Sequence, residues 1–211
     1  MQDVEGGHAH AESLPIVNAD ATPDADSAEN QPLRTALRTV TSTLKAEKVP
    51  FALAGGYALW VLGAPEPVHD VDVVVAESDV EAAANALTAA GLRVERPPED
   101  WLFKAFEGDA MVDVLHRLGG VPVDESVLAT ATEREVLGLR IPVLPATPIM
   151  VAKLAALSER NCDLEPLLRV VRAVREQLDW QVLAGSSRDN PFAEAFLFLA
   201  DRLGITGEDT G

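Results

Sequence analysis

The segment Asp70-Val71-Asp72 puts two carboxylates two residues apart at the head of an apolar run, Val73-Val74-Val75. On a strand, residues i and i+2 share a face, so both carboxylates would point the same way. Side-by-side carboxylates repel unless a proton or a cation is shared between them. Mg²⁺ is the natural hard cation for an oxygen-only site and commonly takes substrate phosphates as further ligands. Upstream, Gly55-Gly56 stands between a short apolar run and a helical one. Such a turn offers backbone N–H groups and close approach, which suits a triphosphate. Downstream, Asp113 interrupts Met111-Val112-Asp113-Val114-Leu115. If that run neighbours the first, three converging carboxylates can hold two Mg²⁺ ions and drive an in-line phosphoryl or nucleotidyl displacement. Each piece has a plain alternative. D-x-D is a common tripeptide at strand ends and turns, and Asp113 alone reads equally as a salt-bridged strand-edge acid.

These residues need elements to carry them. Leu33, Leu37, Val40 and Leu44 recur at helical spacing and predict a helix over 32–47. Residues 50–54 read as a strand, Gly55-Gly56 as a tight turn, and 57–62 as a helix. The β-branched run 68–75 reads as a strand. Ser78 with Glu81 makes a capping box for a helix to about Ala90, closed by Gly91. Residues 92–95 suggest another strand. Residues 101–106 and 110–115 suggest a hairpin about Glu107-Gly108-Asp109, and 134–143 one more strand. Thr147-Pro148 reads as an N-cap with a first-turn proline, followed by helices at about 148–159, 163–179 and 191–203. The expected organisation is a disordered acidic tail at 1–31, an α+β domain at 32–145 and a C-terminal helical region at 146–211.

Composition narrows the classes. The chain has 211 residues, a formal net charge of −17 and 47% hydrophobic residues, enough for a folded core. The single Cys162 cannot close an intramolecular disulfide, which excludes a disulfide scaffold; it reads as a buried small hydrophobe. No apolar run approaches the roughly 20 residues of a spanning helix, and the N-terminus lacks the pattern of a signal peptide. A cytoplasmic protein with no membrane partner is the expectation. Residues 1–31 hold seven acids and no Lys or Arg, so ten net negative charges remain for the rest. His8 and His10 lie in that segment and read as solvated. Arg134, Arg140, Arg169, Arg172 and Arg175 read either as a local basic strip for an RNA backbone or as ordinary wet helix and strand faces. His69 points away from Asp70 and Asp72 on alternation, and His116 has no assigned role. Trp60, Trp101 and Trp180 read as core or edge packing.

The order of strand, Gly-Gly, helix, D-x-D strand and later acid resembles the nucleotidyltransferase superfamily with the polymerase-β-type fold. Gly55-Gly56, Asp70, Asp72 and Asp113 occupy its signature positions. Lys153-Leu154-Ala155-Ala156 followed by Arg160 and Cys162-Asp163-Leu164 is similar to the K-x-x-A…R-x-K-D-x-x-D-L stretch of AbiEii-type toxins, which include the MenT-type toxins. The similarity spans roughly 33–180. It implies a mixed β-sheet flanked by helices, Mg²⁺ (two ions) on Asp70, Asp72 and Asp113, and an NTP cradled by Gly55 and Gly56. It also implies that Lys153 helps bind the triphosphate, where by itself a helical lysine among Ala and Leu would merely snorkel to solvent, and that Asp163 supports the site. The acceptor implied is an RNA, such as a tRNA 3′ end, with a possible cognate antitoxin; a cationic small molecule such as an aminoglycoside is the other acceptor, and a non-catalytic binding module the third reading. The chain departs from the family in having Glu66-Pro67-Val68-His69 where R-x-T is frequent, and Cys162-Asp163 in place of Lys-Asp.

Overall fold

The computed structural model describes residues 30–206. The expected acidic tail, with His8 and His10, lies outside the described residues except for Asn30 and Gln31. Helix α1 (Gln31–Ala46) buries Leu33, Ala36, Leu37, Val40, Thr41 and Leu44, the stripe that the spacing predicts. Strand β1 (Phe51–Ala54) is buried throughout and runs straight into α2 (Gly55–Val61). Strand β2 (Val71–Val75), a 3₁₀ turn (Glu77–Asp79) and α3 (Val80–Ala89) follow. Next come β3 (Arg93–Glu95) and the hairpin β4 (Leu102–Glu107) with β5 (Ala110–Leu115). A two-residue hairpin, β6 (Arg117–Leu118) and β7 (Val121–Pro122), leads to the short α4 (Glu125–Leu128). Strands β8 (Thr132–Val136) and β9 (Leu139–Val143) precede α5 (Ala146–Ala155). Helix α6 (Leu164–Val174), a 3₁₀ turn (Arg175–Gln177), α7 (Trp180–Ser186) and α8 (Pro191–Arg202) complete the described chain.

Seven strands form one mixed sheet in the order β3-β4-β5-β2-β1-β9-β8. The centre is decided by β2, antiparallel to β1 and parallel to β5. Its central strands are buried on both faces, which accounts for the runs of Val rather than strict alternation. The molecule is thus a mixed α/β fold with a central sheet flanked by helices and further helices at its C-terminal end.

Four local expectations are corrected. Residues 134–143 are not one strand but a hairpin, because Leu137 and Gly138 take positive φ and turn the chain. The Ser78/Glu81 capping box does not form; Ser78 lies in the 3₁₀ turn and Asp79 stands at the cap position of α3. Thr147 is not an N-cap, since α5 starts at Ala146 and the Thr147 hydroxyl instead accepts from the Asp179 N–H at 3.0 Å. Cys162 is exposed, in the turn just before the Asp163 cap of α6, not buried.

The loop from α2 to β2 is pinned at Glu66. Arg34 on α1 donates Nε to Glu66 Oε1 at 2.7 Å and pairs its second nitrogen with Oε2. The Tyr57 hydroxyl donates to Oε1 at 3.2 Å. Pro67 then packs on Gly56, where an added Cβ would stand 2.8 Å from the proline ring. The residues standing in place of R-x-T therefore anchor the chain just before Asp70.

Candidate active site

The sheet register builds the site. Asp72 on β2 is in register with Ala54 on one side and with Asp113 on the other. Because β2 and β5 run parallel, residues in register share a face, so Asp113 joins Asp70 and Asp72. One ligand oxygen from each of the three carboxylates lies within 4.8 Å of the others. Asp113 is 9% exposed, and Asp70 and Asp72 are half-buried.

Gly55 shows why the turn is glycine. Its φ is +54°, and a Cβ there would sit 1.7 Å from Asp72 Oδ2. The Gly56 backbone N–H donates to the same carboxylate. In this arrangement the Gly-Gly turn is the seat of Asp72. Burial pushes the Asp72 carboxyl up to about 6; Asp70 adds to the shift, and Lys153 opposes it. Burial likewise raises Asp113, against the pull of the Lys104 ammonium. Three converging carboxylate oxygens, only partly offset by Lys104 and Lys153, are the donor set of a hard divalent cation. The residues present fit Mg²⁺.

A cavity of about 670 Å³ opens above the triad. Helix α5 supplies one wall through Ile149, Ala152, Lys153 and Ala156, spaced to share a helix face. The cavity is also lined by Asp100, Trp101, Leu115, Arg117 and the Gly119-Gly120 turn of the β6–β7 hairpin. Gly119, with φ of +60°, lies against Ala152, and a Cβ there would be 3.3 Å from the Ala152 Cα. Arg117 is paired with Glu77 at 3.2 Å.

Of the residues singled out in the sequence, Gly55, Asp70, Asp72, Asp113 and Lys153 line this cavity, and Gly56 touches it through Asp72. Asp163 stands elsewhere, exposed and accepting from the Glu165 N–H as the N-cap of α6. Sequence reasoning passed over Lys104, whose Nζ donates to Asp113 Oδ1 at 2.9 Å. The signal available was a lone cation among Leu102, Phe103, Ala105 and Phe106 in the strand facing the Asp113 strand. The cavity also takes in Asp100 and Arg117, which the sequence does not single out, and Trp101, expected as core or edge packing, is 41% exposed and lines it. Of the arginines read as a basic strip, Arg169 on α6 pairs with Glu165, and Arg175 in the following 3₁₀ turn pairs with Glu176.

A family model described as "Nucleotidyl transferase of unknown function (DUF2204)" matches residues 33–195. Solved structures of similar layout include ANT(2″)-Ia in complex with adenylyl-2″-tobramycin. That pair shares 15% identity over 81% of this chain and 97% of that one, with a TM-score of 0.49. An antigenic nucleotidyltransferase-like protein from Paracoccidioides brasiliensis shares 14% identity over 80% of this chain and 93% of its own, with a TM-score of 0.47. The lincomycin-bound lincosamide antibiotic adenylyltransferase LnuA shares 15% over 64% and 92%, with a TM-score of 0.46. No curated protein matches this chain.

Proposed function

We propose that this chain, which belongs to the DUF2204 family of nucleotidyl transferases, moves an NMP from an NTP to a hydroxyl of a small cationic acceptor. The observation carrying the reading is the register of Asp72 with Asp113, which gathers three carboxylates at the floor of one cavity. Asp70, Asp72 and Asp113 would hold Mg²⁺, as two ions. Bound there, Mg²⁺ supplies charge neutralisation on the triphosphate and polarises the α-phosphorus. Lys153 binds the β/γ-phosphate oxygens, and the Gly55-Gly56 turn keeps Asp72 in place. Asp113 takes the proton of the acceptor hydroxyl. The acceptor oxygen then bonds to the α-phosphorus, the bond to the β-phosphate oxygen breaks, and pyrophosphate leaves. Positioning and electrostatics carry such a displacement.

The acceptor reading rests on what lines the cavity besides the triad and Lys153. With the triad committed to metal and Lys153 to phosphate, the remaining polar and aromatic lining is Asp100, Trp101 and Arg117, and Arg117 is already paired. An acid beside an exposed indole suits an amine-bearing ring compound. An RNA acceptor, with the toxin role and cognate antitoxin that go with it, would call for cations there to meet phosphates.

The test is transfer of label from each [α-³²P]NTP, with Mg²⁺, to deproteinised tRNA and, in parallel, to a panel of aminoglycosides and other polyamines. The Asp70→Ala/Asp72→Ala double variant is the control. Label on a cationic small molecule, absent with the variant, is the expected result. Label on tRNA alone would overturn the acceptor reading, and no label on any acceptor would overturn the transferase mechanism described for this site.

A further inference from the structure

We propose that Lys104 is a built-in counter-ion of the acidic site, holding Asp113 and keeping the affinity for divalent ions low until nucleotide arrives. The inference rests on the metal-site reading above. Lys104 on β4 lies directly across from Asp113 on β5. Opposite residues of an antiparallel pair share a face, so the ammonium is delivered to the side where the carboxylates meet. Its Nζ donates to Asp113 Oδ1 at 2.9 Å and stands 3.2 Å from Met111 Sδ. Met111 and Asp113 are i and i+2 on one strand, so the head group is held between two side chains of a single face. The lysine side chain is 27% exposed and the aspartate 12%, so this is not a freely solvated surface pair.

The consequence is electrostatic. Three ionised carboxylates would attract a divalent ion with three negative charges; the ammonium leaves two. One oxygen of Asp113 is also engaged before any ion binds. An incoming triphosphate supplies both negative charge and oxygen ligands, so it restores the attraction that Lys104 removes. Lys104 is not among the cavity-lining residues. It acts through Asp113 and is a positioning residue.

The experiment is Mn²⁺ titration of the full chain without nucleotide, with free ion read by electron paramagnetic resonance, for wild type, K104M, K104Q and K104R. Losing the positive charge is expected to tighten Mn²⁺ binding at least about tenfold in K104M and K104Q. K104R should remain near wild type. At saturating Mn²⁺ and NTP, turnover by K104M should fall, because Asp113 loses its holder. Loss of fold cannot produce tighter binding, so a gain distinguishes a counter-ion from a merely structural lysine. Unchanged or weaker Mn²⁺ binding in both neutral variants would overturn the proposal. Equal Mn²⁺ binding by wild type and the Asp70→Ala/Asp72→Ala variant would instead remove the metal site itself, independently of Lys104.

Discussion

At the residue scale, Asp72 is the most sensitive group. Its carboxyl is pushed up to about 6, above the ordinary carboxylate range, so the folded state without metal holds a proton that the unfolded chain has already released. Between about pH 4 and 6 the folded state therefore binds more protons, and stability falls as pH rises through that window. Chelator-treated protein should be less stable at pH 7.5 than at pH 5 by about 1.4 kcal/mol from this group, and the Asp72→Asn variant should lose most of that dependence. Thermal melts across pH with and without Mg²⁺ measure this, and Mg²⁺ should restore stability at the higher pH. Gly55→Ala meets both a positive φ and the Asp72 carboxylate. It should cost about 2 kcal/mol or more and abolish transfer, as melting and label transfer would register.

At the element scale, the site depends on how the loop before β2 is held. The Arg34–Glu66 pair ties that loop to α1, with Tyr57 as a third partner. The Arg34 hydrogen bond holds the Glu66 carboxyl below its usual range, while burial raises the Tyr57 hydroxyl well above its own. A depressed carboxyl contributes stability that is present above its unfolded pKa and lost as pH falls through its folded one. Glu66→Gln should thus destabilise near neutrality by about 1–3 kcal/mol, with the difference from wild type shrinking in acid. Equal melting curves at pH 7 would refute the anchor. Asn190 ties two further elements together. It caps α8 by accepting from the Phe192 and Ala193 N–H groups, and donates to the Leu154 and Leu157 carbonyls at the end of α5. Asn190→Ala should cost about 1–2 kcal/mol and loosen the helix that carries Lys153, read as a raised KM for NTP.

At the scale of the whole molecule, the charge of −17 acts on everything. Self-repulsion at that charge opposes the compact state. Raising NaCl from 10 to 150 mM shortens the Debye length from about 30 to about 8 Å, so Tm should rise with salt; a fall would mean that attractive pairs such as Arg34–Glu66 dominate. The same acidity reaches the cavity, whose lining includes Asp100 as well as the triad. Among the described residues no helix is long and apolar enough to cross a membrane.

The sequence by itself determined what local chemistry and period can encode. The stripe of Leu33, Leu37, Val40 and Leu44, the valine-rich β2, and the D-x-D pair each need only neighbours along the chain. The Gly55-Gly56 turn was legible as well, though its tight fit against Asp72 came only with the sheet. What the sequence left open were pairings between distant segments. That Asp113 joins the pair depends on β5 lying parallel to β2 with Asp72 and Asp113 in register, a choice made by how the whole sheet buries its faces. The β4–β5 hairpin was itself legible, but the register that sets Lys104 opposite Asp113 was not. Asp163 shows the converse: by motif it belongs with the site, but the path of the chain into α6 gives it to a helix end instead. Strand register and helix docking set which side chains meet, and both are settled by burial over the whole core rather than by any one segment.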